Sequence, residues 1–277
     1  LETLLKRPEF KDVQIKIAID EFGKSFQKLI VRLKPKIVAD GLTEKNFDPT
    51  DTGKYLSARE FNEAIDQKGT IVVDVRNYYE SEVGYFEKSI RPDKDTFREI
   101  LPAIKNDLLG SENKKILLYC TGGIRCEKAS AYLKYHKFQD VNQLHGGIIE
   151  YIRQVKEEKL QSKFKGKNFV FDKRMGERVT EDVLSKCHQC NEPSDDHTDC
   201  ANQACHILFI QCESCHKKFG GCCSSECYQF SLLPIEKQRD LRRQPNFKAP
   251  LLRFKDRVKP KLKELKIKPN LKRNYPS

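Results

Sequence analysis

Apolar residues recur along this chain with two periods, and the switches between them divide it. Ser57 caps a helical pattern that runs through Ile65, and Thr70 to Val75 reads as a buried strand. Lys115 to Tyr119 repeats the strand pattern, Glu127 to Tyr135 reads as helix, Val141 to Leu144 as strand, and a helix begins at Gly147. Short β-branched runs separated by helices predict an α/β fold, a mainly parallel sheet with helices on its faces. In such open sheets, ligands bind beyond the carboxyl ends of the strands.

The flanks behave differently. Residues 1 to 34 read as a short amphipathic helix (Leu1, Leu4, Leu5) and two alternating strands, Val13 to Ile19 and Phe26 to Leu33, around Gly23. Residues 35 to 53, with Pro35, Gly41, Pro49 and Gly53, read as a connector. Phe169-Val-Phe171 reads as a strand returning to the sheet domain. Beyond Ser231, Leu251, Phe254, Val258, Leu262 and Leu265 keep helical intervals that Pro260 interrupts, so this tail is expected to order in part on a partner. The expected boundaries are 1–50 for an amino-terminal segment and connector, 54–160 for the sheet domain, 165–230 for a cysteine-rich module and 231–277 for the tail.

Composition sharpens this division. The 277 residues, 38% apolar and 33% charged, suit roughly two domains that can bury cores. No apolar run approaches the roughly 18 residues of a membrane helix, so no membrane partner is expected. The chain begins at Leu1 and not at a methionine, which reads as a fragment of a longer protein. The formal charge of +12 is concentrated at one end: residues 231 to 277 carry 15 Lys or Arg against four acidic residues, a net of +11.

Of 11 cysteines, nine lie between Cys187 and Cys227. A disulfide scaffold would space them more evenly. The C-x2-C pairs point to metal and to a reducing cytoplasm. The spacing Cys187-x2-Cys190, Cys200-x4-Cys205, Cys212-x2-Cys215 and Cys223-x3-Cys227 makes two tetrahedral zinc sites. Interleaving is favoured, with Cys187, Cys190, Cys212 and Cys215 on one ion and Cys200, Cys205, Cys223 and Cys227 on the other. Sequential pairing, or Cys222 in place of Cys223, stays open. His188, His197, His206 and His216 read as solvated module residues, since the cysteines suffice to close both sites. Closed sites are structural, and a module of this size needs them to fold.

The remaining two cysteines sit in Ile116-Leu-Leu-Tyr-Cys120-Thr-Gly-Gly-Ile-Arg125-Cys126, where an apolar strand enters a glycine-rich loop. Such a loop turns its N–H groups inward, and a helix starting near Cys126 adds its positive end. An anion at the Cys120 sulfur is thereby stabilised, which marks Cys120 as nucleophile. Counted to Arg125 the loop is C-x4-R, one residue shorter than the C-x5-R cradle of cysteine phosphatases. The smaller ring suits a persulfide sulfur better than a phosphoryl group.

These residues resemble the rhodanese family. Val73-Asp-Val-Arg76 with Tyr79-Glu80 is similar to its first-strand motif, Tyr119-Cys120-x-x-Gly-x-Arg125 to its active-site loop, and Leu144-His-Gly-Gly147-x-x-x-Tyr151 to its closing motif. The likeness covers about residues 55 to 155. Two departures narrow it: Cys126 stands where serine is usual, and Gly84-Tyr85 where Gly-His is usual. Together with Phe169-Val-Phe-Asp172 and the cysteine cluster, they resemble the rhodanese-domain subgroup that hydroxylates tRNA. That resemblance implies a rhodanese-like sheet preceded by a partial ferredoxin-like α+β segment and followed by the zinc module. It implies oxygen-dependent conversion of the wobble uridine to 5-hydroxyuridine, with O2 as co-substrate and tRNA bound at its anticodon region. By position, Cys120 is the persulfide-type nucleophile, Arg125 closes the anion cradle, and Asp74 and Arg76 buttress the loop. Asp74 and Arg76 also read as an ordinary structural ion pair. Cys126 reads either as a resolving thiol or as a small buried helix residue.

The basic tail fits this implied substrate. Arg242, Arg243, Lys248, Arg253, Lys255, Lys259, Lys261 and Lys263 form a polyanion footprint, with Phe247, Phe254 and Tyr275 available to stack on bases. Single-stranded loops are what proteins read in RNA, and an anticodon is one. Two other functions compete: a thiosulfate-type sulfurtransferase working through a Cys120 persulfide, and a non-enzymatic RNA-binding adaptor.

Overall fold

The computed structural model describes residues 3, 6–10, 33, 38–43, 47–172 and 174–244. The helix and strands expected before residue 34 lie almost wholly outside these, as do Lys248, Arg253, Lys255, Lys259, Lys261 and Lys263 of the tail.

The centre of the fold is a four-stranded parallel sheet of β1 (Lys54–Leu56), β2 (Ile71–Asp74), β4 (Lys115–Tyr119) and β5 (Asp140–Leu144), in the order β1-β5-β4-β2. The two neighbouring strands β2 and β4 are largely buried on both faces, which is why Ile71–Val73 and Ile116–Tyr119 read as apolar runs. Ile116, Leu118 and Cys120 face one side with Val73, Val75 and Val141, against α3 (Phe97–Asp107) and α4 (Ile124–Tyr135). Leu117 and Tyr119 face the other side with Leu56, Val72 and Leu144, against α1 (Ala58–Asp66) and α5 (Gly147–Glu157). The result is a three-layer sandwich, a rhodanese-like parallel sheet with flanking helices.

Several elements were not apparent in the sequence. Helix α3 carries Phe97, Ile100, Leu101 and Ile104 on its buried face at helical spacing, and Pro102 within it obscures the pattern. Helix α4 begins three residues earlier than the periodicity suggests. Gly123, at φ 92°, is its N-cap, so Arg125 and Cys126 stand in its first turn. The expected strand at Phe169–Phe171 is displaced: the strand is β6 (Phe164–Asn168), and Phe169 follows it in irregular backbone. The alternation that builds β6 is Phe164, Gly166 and Asn168, all buried, and a glycine in that series hides it from an apolar count. Strand β6 pairs antiparallel with β3 (Gly84–Phe86) and β7 (Glu177–Arg178) in a second, three-stranded sheet.

The cysteine-rich module follows. It holds a two-stranded hairpin of β8 (His197–Asp199) and β9 (Leu208–Ile210), then α6 (Glu213–Phe219) and α7 (Ser225–Ser231), with α8 (Ile235–Arg243) leading into the tail. Among the described residues, no helix is long and apolar enough to cross a membrane.

The junction of β3 and β6 leaves no room for a side chain at Gly84. A Cβ there would stand 2.1 Å from the carbonyl oxygen of Lys167 and 2.8 Å from that of Lys165, both backbone atoms of the paired strand. Gly84→Ala is therefore expected to force the strands apart and cost about 1–3 kcal/mol of stability, read from urea denaturation midpoints. An unchanged midpoint would show that the strand approach is not obligatory.

Candidate functional site

Strand β4 delivers Cys120 to the carboxyl end of the sheet, where the chain loops to the start of α4. The loop is clamped from beneath. The first turn of α5 donates to its carbonyls, Ile148 N–H to Cys120 O at 2.9 Å and Ile149 N–H to Thr121 O at 3.1 Å. This contact requires glycine at position 147, because a Cβ there would lie 2.5 Å from Cys120 O and 2.7 Å from Gly123 N, and φ is +68°. The Leu144-His-Gly-Gly147 sequence thus fixes the shape of the Cys120 loop.

Above the clamp, donors converge on sulfur. The Gly123 N–H donates to Cys120 Sγ at 3.0 Å. Both the thiol and the backbone N–H of Cys126 also donate to it, and Arg125 sets a positive charge nearby. Burial, with Cys120 only 1% exposed, works against ionisation. The Cys126 thiol, Arg125 and the two N–H groups outweigh it and bring the Cys120 thiol down to about 6. Cys126 moves the opposite way. Burial and the hydrogen bond it gives to the Cys120 sulfur push its own thiol well up, so it remains protonated and donates. The pair is thus a thiolate with a thiol donor beside it, the state a sulfur nucleophile needs.

Arg125 is anchored by a residue to which the sequence reading assigned no role. Glu80, fully buried, accepts from Arg125 Nη1 at 2.5 Å and Nη2 at 2.8 Å, and from Thr121 Oγ1 at 3.0 Å. Burial alone would raise the Glu80 carboxyl. The charge and hydrogen bonds of Arg125, with Arg76 and the Asn77 N–H, hold it below the usual carboxylate range. Its sequence signal was the Asn77-x-x-Glu80 capping box at the head of the one-turn helix α2 (Tyr78–Ser81).

Asp74 and Arg76 form a different unit. Both side chains are fully buried, bonded at 2.6 Å, and Arg76 Nη2 also donates to Gly84 O at 2.6 Å. The guanidinium lies 5.5 Å from the ring centres of Tyr119 and Phe164. The pair ties the end of β2 to β3, next to the residue that precedes Cys120, and does not touch the sulfur.

The module gathers its thiols in two sets. Cys187, Cys190, Cys212 and Cys215 form one and Cys200, Cys205, Cys223 and Cys227 the other, each with all sulfurs within 4.8 Å of one another. Sulfur separations of 3.5 Å (Cys190–Cys212), 3.7 Å (Cys205–Cys223) and 3.6 Å (Cys223–Cys227) approach the edge of about 3.8 Å that Zn–S bonds of about 2.3 Å give a tetrahedron. Both clusters could hold metal ions and are compatible with zinc. Cys222 turns toward Ser231 Oγ at 3.6 Å.

Two of the histidines expected in solvent instead join the module to the sheet domain. His197 Nε2 donates to Tyr79 O at 3.0 Å, and burial lowers its ring to about 4, so it is neutral. His188 Nε2 bonds Glu82 Oε1 at 2.9 Å. Lys167 and Arg178 add ion pairs to Asp195 at 2.8 and 2.7 Å. Of the basic residues expected on RNA, Arg242 and Arg243 occupy the last turn of α8.

Residues 57–154 match the rhodanese-like domain family, and residues 165–228 match the family described as rhodanase C-terminal. The chain is 54% identical over 266 residues to a tRNA uridine(34) hydroxylase from Leptospira interrogans, covering 95% of this chain and 72% of that protein. To a tRNA uridine(34) hydroxylase from Yersinia enterocolitica it is 52% identical over 232 residues, covering 84% of this chain and 66% of that protein. The crystal structure of a rhodanese-like domain protein from Staphylococcus aureus aligns at a TM-score of 0.30 and 24% identity, over 35% of this chain and 90% of that one. The chain belongs to the tRNA uridine(34) hydroxylase family.

The electrostatics of the loop give two expected outcomes. The ultraviolet thiolate absorbance of the protein minus that of Cys120→Ser should titrate with a midpoint at about pH 6. Because the folded value lies below the roughly 8.5 of a free thiol, the associated stability is present above that pH and is lost as pH falls through about 6. Cys126→Ala, which removes a donor, should raise the midpoint by about one unit. A midpoint near 8.5 in the parent protein would contradict the cradle. Separately, Glu80→Gln breaks a buried ion pair and should cost about 3–5 kcal/mol in urea denaturation. A loss below about 1 kcal/mol would place that pair among weak surface contacts.

Proposed function

We propose that this member of the tRNA uridine(34) hydroxylase family converts the wobble uridine of tRNA to 5-hydroxyuridine, with Cys120 at the reacting centre. The observation that carries the reading is the 54% identity shared with a tRNA uridine(34) hydroxylase over 95% of this chain. The site supports it: a sulfur drawn down to about 6 by its neighbours is a nucleophile at neutral pH without an added base. In this reading Arg125, held by Glu80, and the loop N–H groups stabilise negative charge at the reacting sulfur. Dioxygen gives one oxygen to carbon 5, replacing its hydrogen, and the other leaves as water, which takes two electrons and two protons from an external reductant.

Zinc is the ion we assign to both thiolate sets, as a structural element. Each set offers four sulfur donors and leaves no open position for substrate. The basic segment 231–277, with Arg242 and Arg243 at its described end, is assigned to the tRNA backbone, and the anticodon loop supplies an unpaired uridine. The reaction is assigned to the cytoplasm, where tRNA and reduced thiols coexist.

A second reading has its own support in the match of residues 57–154 to the rhodanese-like domain family. It is sulfur transfer from thiosulfate through a Cys120 persulfide to an acceptor thiol.

Mass spectrometry of tRNA nucleosides separates the two. Cells lacking the protein should lose 5-hydroxyuridine and its derivatives, a copy of the gene should restore them, and a Cys120→Ser copy should not. Unchanged nucleosides together with thiosulfate-dependent thiocyanate formation would establish sulfur transfer instead.

A further inference from the structure

Phe171 is 60% exposed, although Phe169 and Val170 immediately before it are each 5% exposed. The ring is nevertheless held. It meets Phe169 edge-on at 5.3 Å and 85°, and Phe169 meets Tyr79 at 5.3 Å and His197 at 4.8 Å in the same manner. On the other side, Asp172 is fixed by Arg174, whose Nε and Nη2 donate to it at 2.9 and 2.6 Å, and Arg174 pairs with Glu177 at 2.5 Å. An aromatic residue fixed on both flanks and open on its own face is preorganised for a ligand.

Its position identifies the ligand. The Arg125 guanidinium carbon lies 5.9 Å from the Phe171 ring centre, so the ring stands beside the loop that carries Cys120. Over the crest of that loop, a Cβ added to Gly122 would meet nothing within 4 Å, so the approach is open there. An apolar protein partner would require a contiguous patch. Phe169 is turned inward, and Phe171 presents a single ring with a guanidinium alongside. A flat π-face next to a cation is the chemistry that receives an unstacked base.

We propose that Phe171 is a stacking platform for an unpaired nucleobase of the RNA substrate, placed beside the Cys120 loop. The proposal rests on the tRNA reading above and adds the residue that seats the base.

The chain contains no tryptophan, so Phe171→Trp installs a single tryptophan at the platform, excited at the red edge where the ten tyrosines do not absorb. An anticodon stem–loop RNA should quench its emission, whereas a fully paired RNA of the same composition should not. Phe171→Leu, which keeps an apolar side chain but not the π-face, should raise KM for the stem–loop roughly ten-fold with kcat unchanged. Phe171→Trp should keep KM near that of the parent. Unaltered tryptophan emission at saturating stem–loop, or a Phe171→Leu KM equal to the parent's, overturns the platform and leaves the hydroxylation reading standing. Quenching in a protein that fails to hydroxylate tRNA supports the platform and overturns the assigned reaction.

Discussion

The carboxylate of Glu80 is buried completely, and the rest of the site is arranged around that fact. A buried charge is tolerated only when paired and hydrogen-bonded, and Glu80 meets the requirement by taking both Arg125 terminal nitrogens and the Thr121 hydroxyl. The reactive loop is thereby tied at its second and sixth residues to a helix of one turn. The same turn carries Tyr79, whose carbonyl accepts from His197 of the cysteine-rich module, and is followed by Glu82, which bonds His188. One short helix thus joins the loop to the module, and neither can shift without disturbing a buried charge.

The thiolate depends on a balance of opposing effects. Removing Cys120 from water disfavours its charge, and a sulfur with burial alone would hold its proton. The compensation is local: three residues of the loop and first helical turn, Gly123, Arg125 and Cys126, supply the donors and the charge. This explains why α4 starts where it does. Had the helix begun at Glu127, the Arg125 and Cys126 backbone would not belong to its first turn, where N–H groups are unpaired and point at an anion. Cysteine in place of the serine usual at position 126 retains a donor in that place, and its burial keeps the proton on it.

The legible parts of the sequence were those governed by short-range rules. Strand Lys115–Tyr119 was read with the bounds it has, because a strand buried on both faces is an unbroken apolar run. The close spacing within each cysteine pair made the interleaved sets the favoured ones, with sequential pairing left open, and the thiols gather in those interleaved sets. What escaped the reading is governed by contacts distant in sequence. The role of Glu80 depends on Arg125, 45 residues later, and that of His197 on Tyr79, 118 residues earlier. Each looks locally like something simpler, a helix cap in one case and a solvated module residue in the other. Strand β6 was misplaced because its inward positions include Gly166, where a Cβ would stand 2.2 Å from Val83 O, and the polar Asn168, so hydropathy does not mark it.

The module's composition would link an ion held by its thiols to the Cys120 loop. Its hydrophobic cluster consists of five cysteines with Ile207 and Phe209, and Leu208, Ile210 and Phe230 are the other non-cysteine apolar side chains the module buries. Apolar burial on that scale does little against the conformational entropy of ordering some 40 residues, and ions held by the two thiol sets would add to it. The hairpin β8–β9 presents His197 to Tyr79 and to Phe169. A thiolate-bound ion that held this hairpin would therefore also hold the aromatic series ending at Phe171, 5.9 Å from Arg125. A metal that took no part in the chemistry would in this way still set the geometry around Cys120.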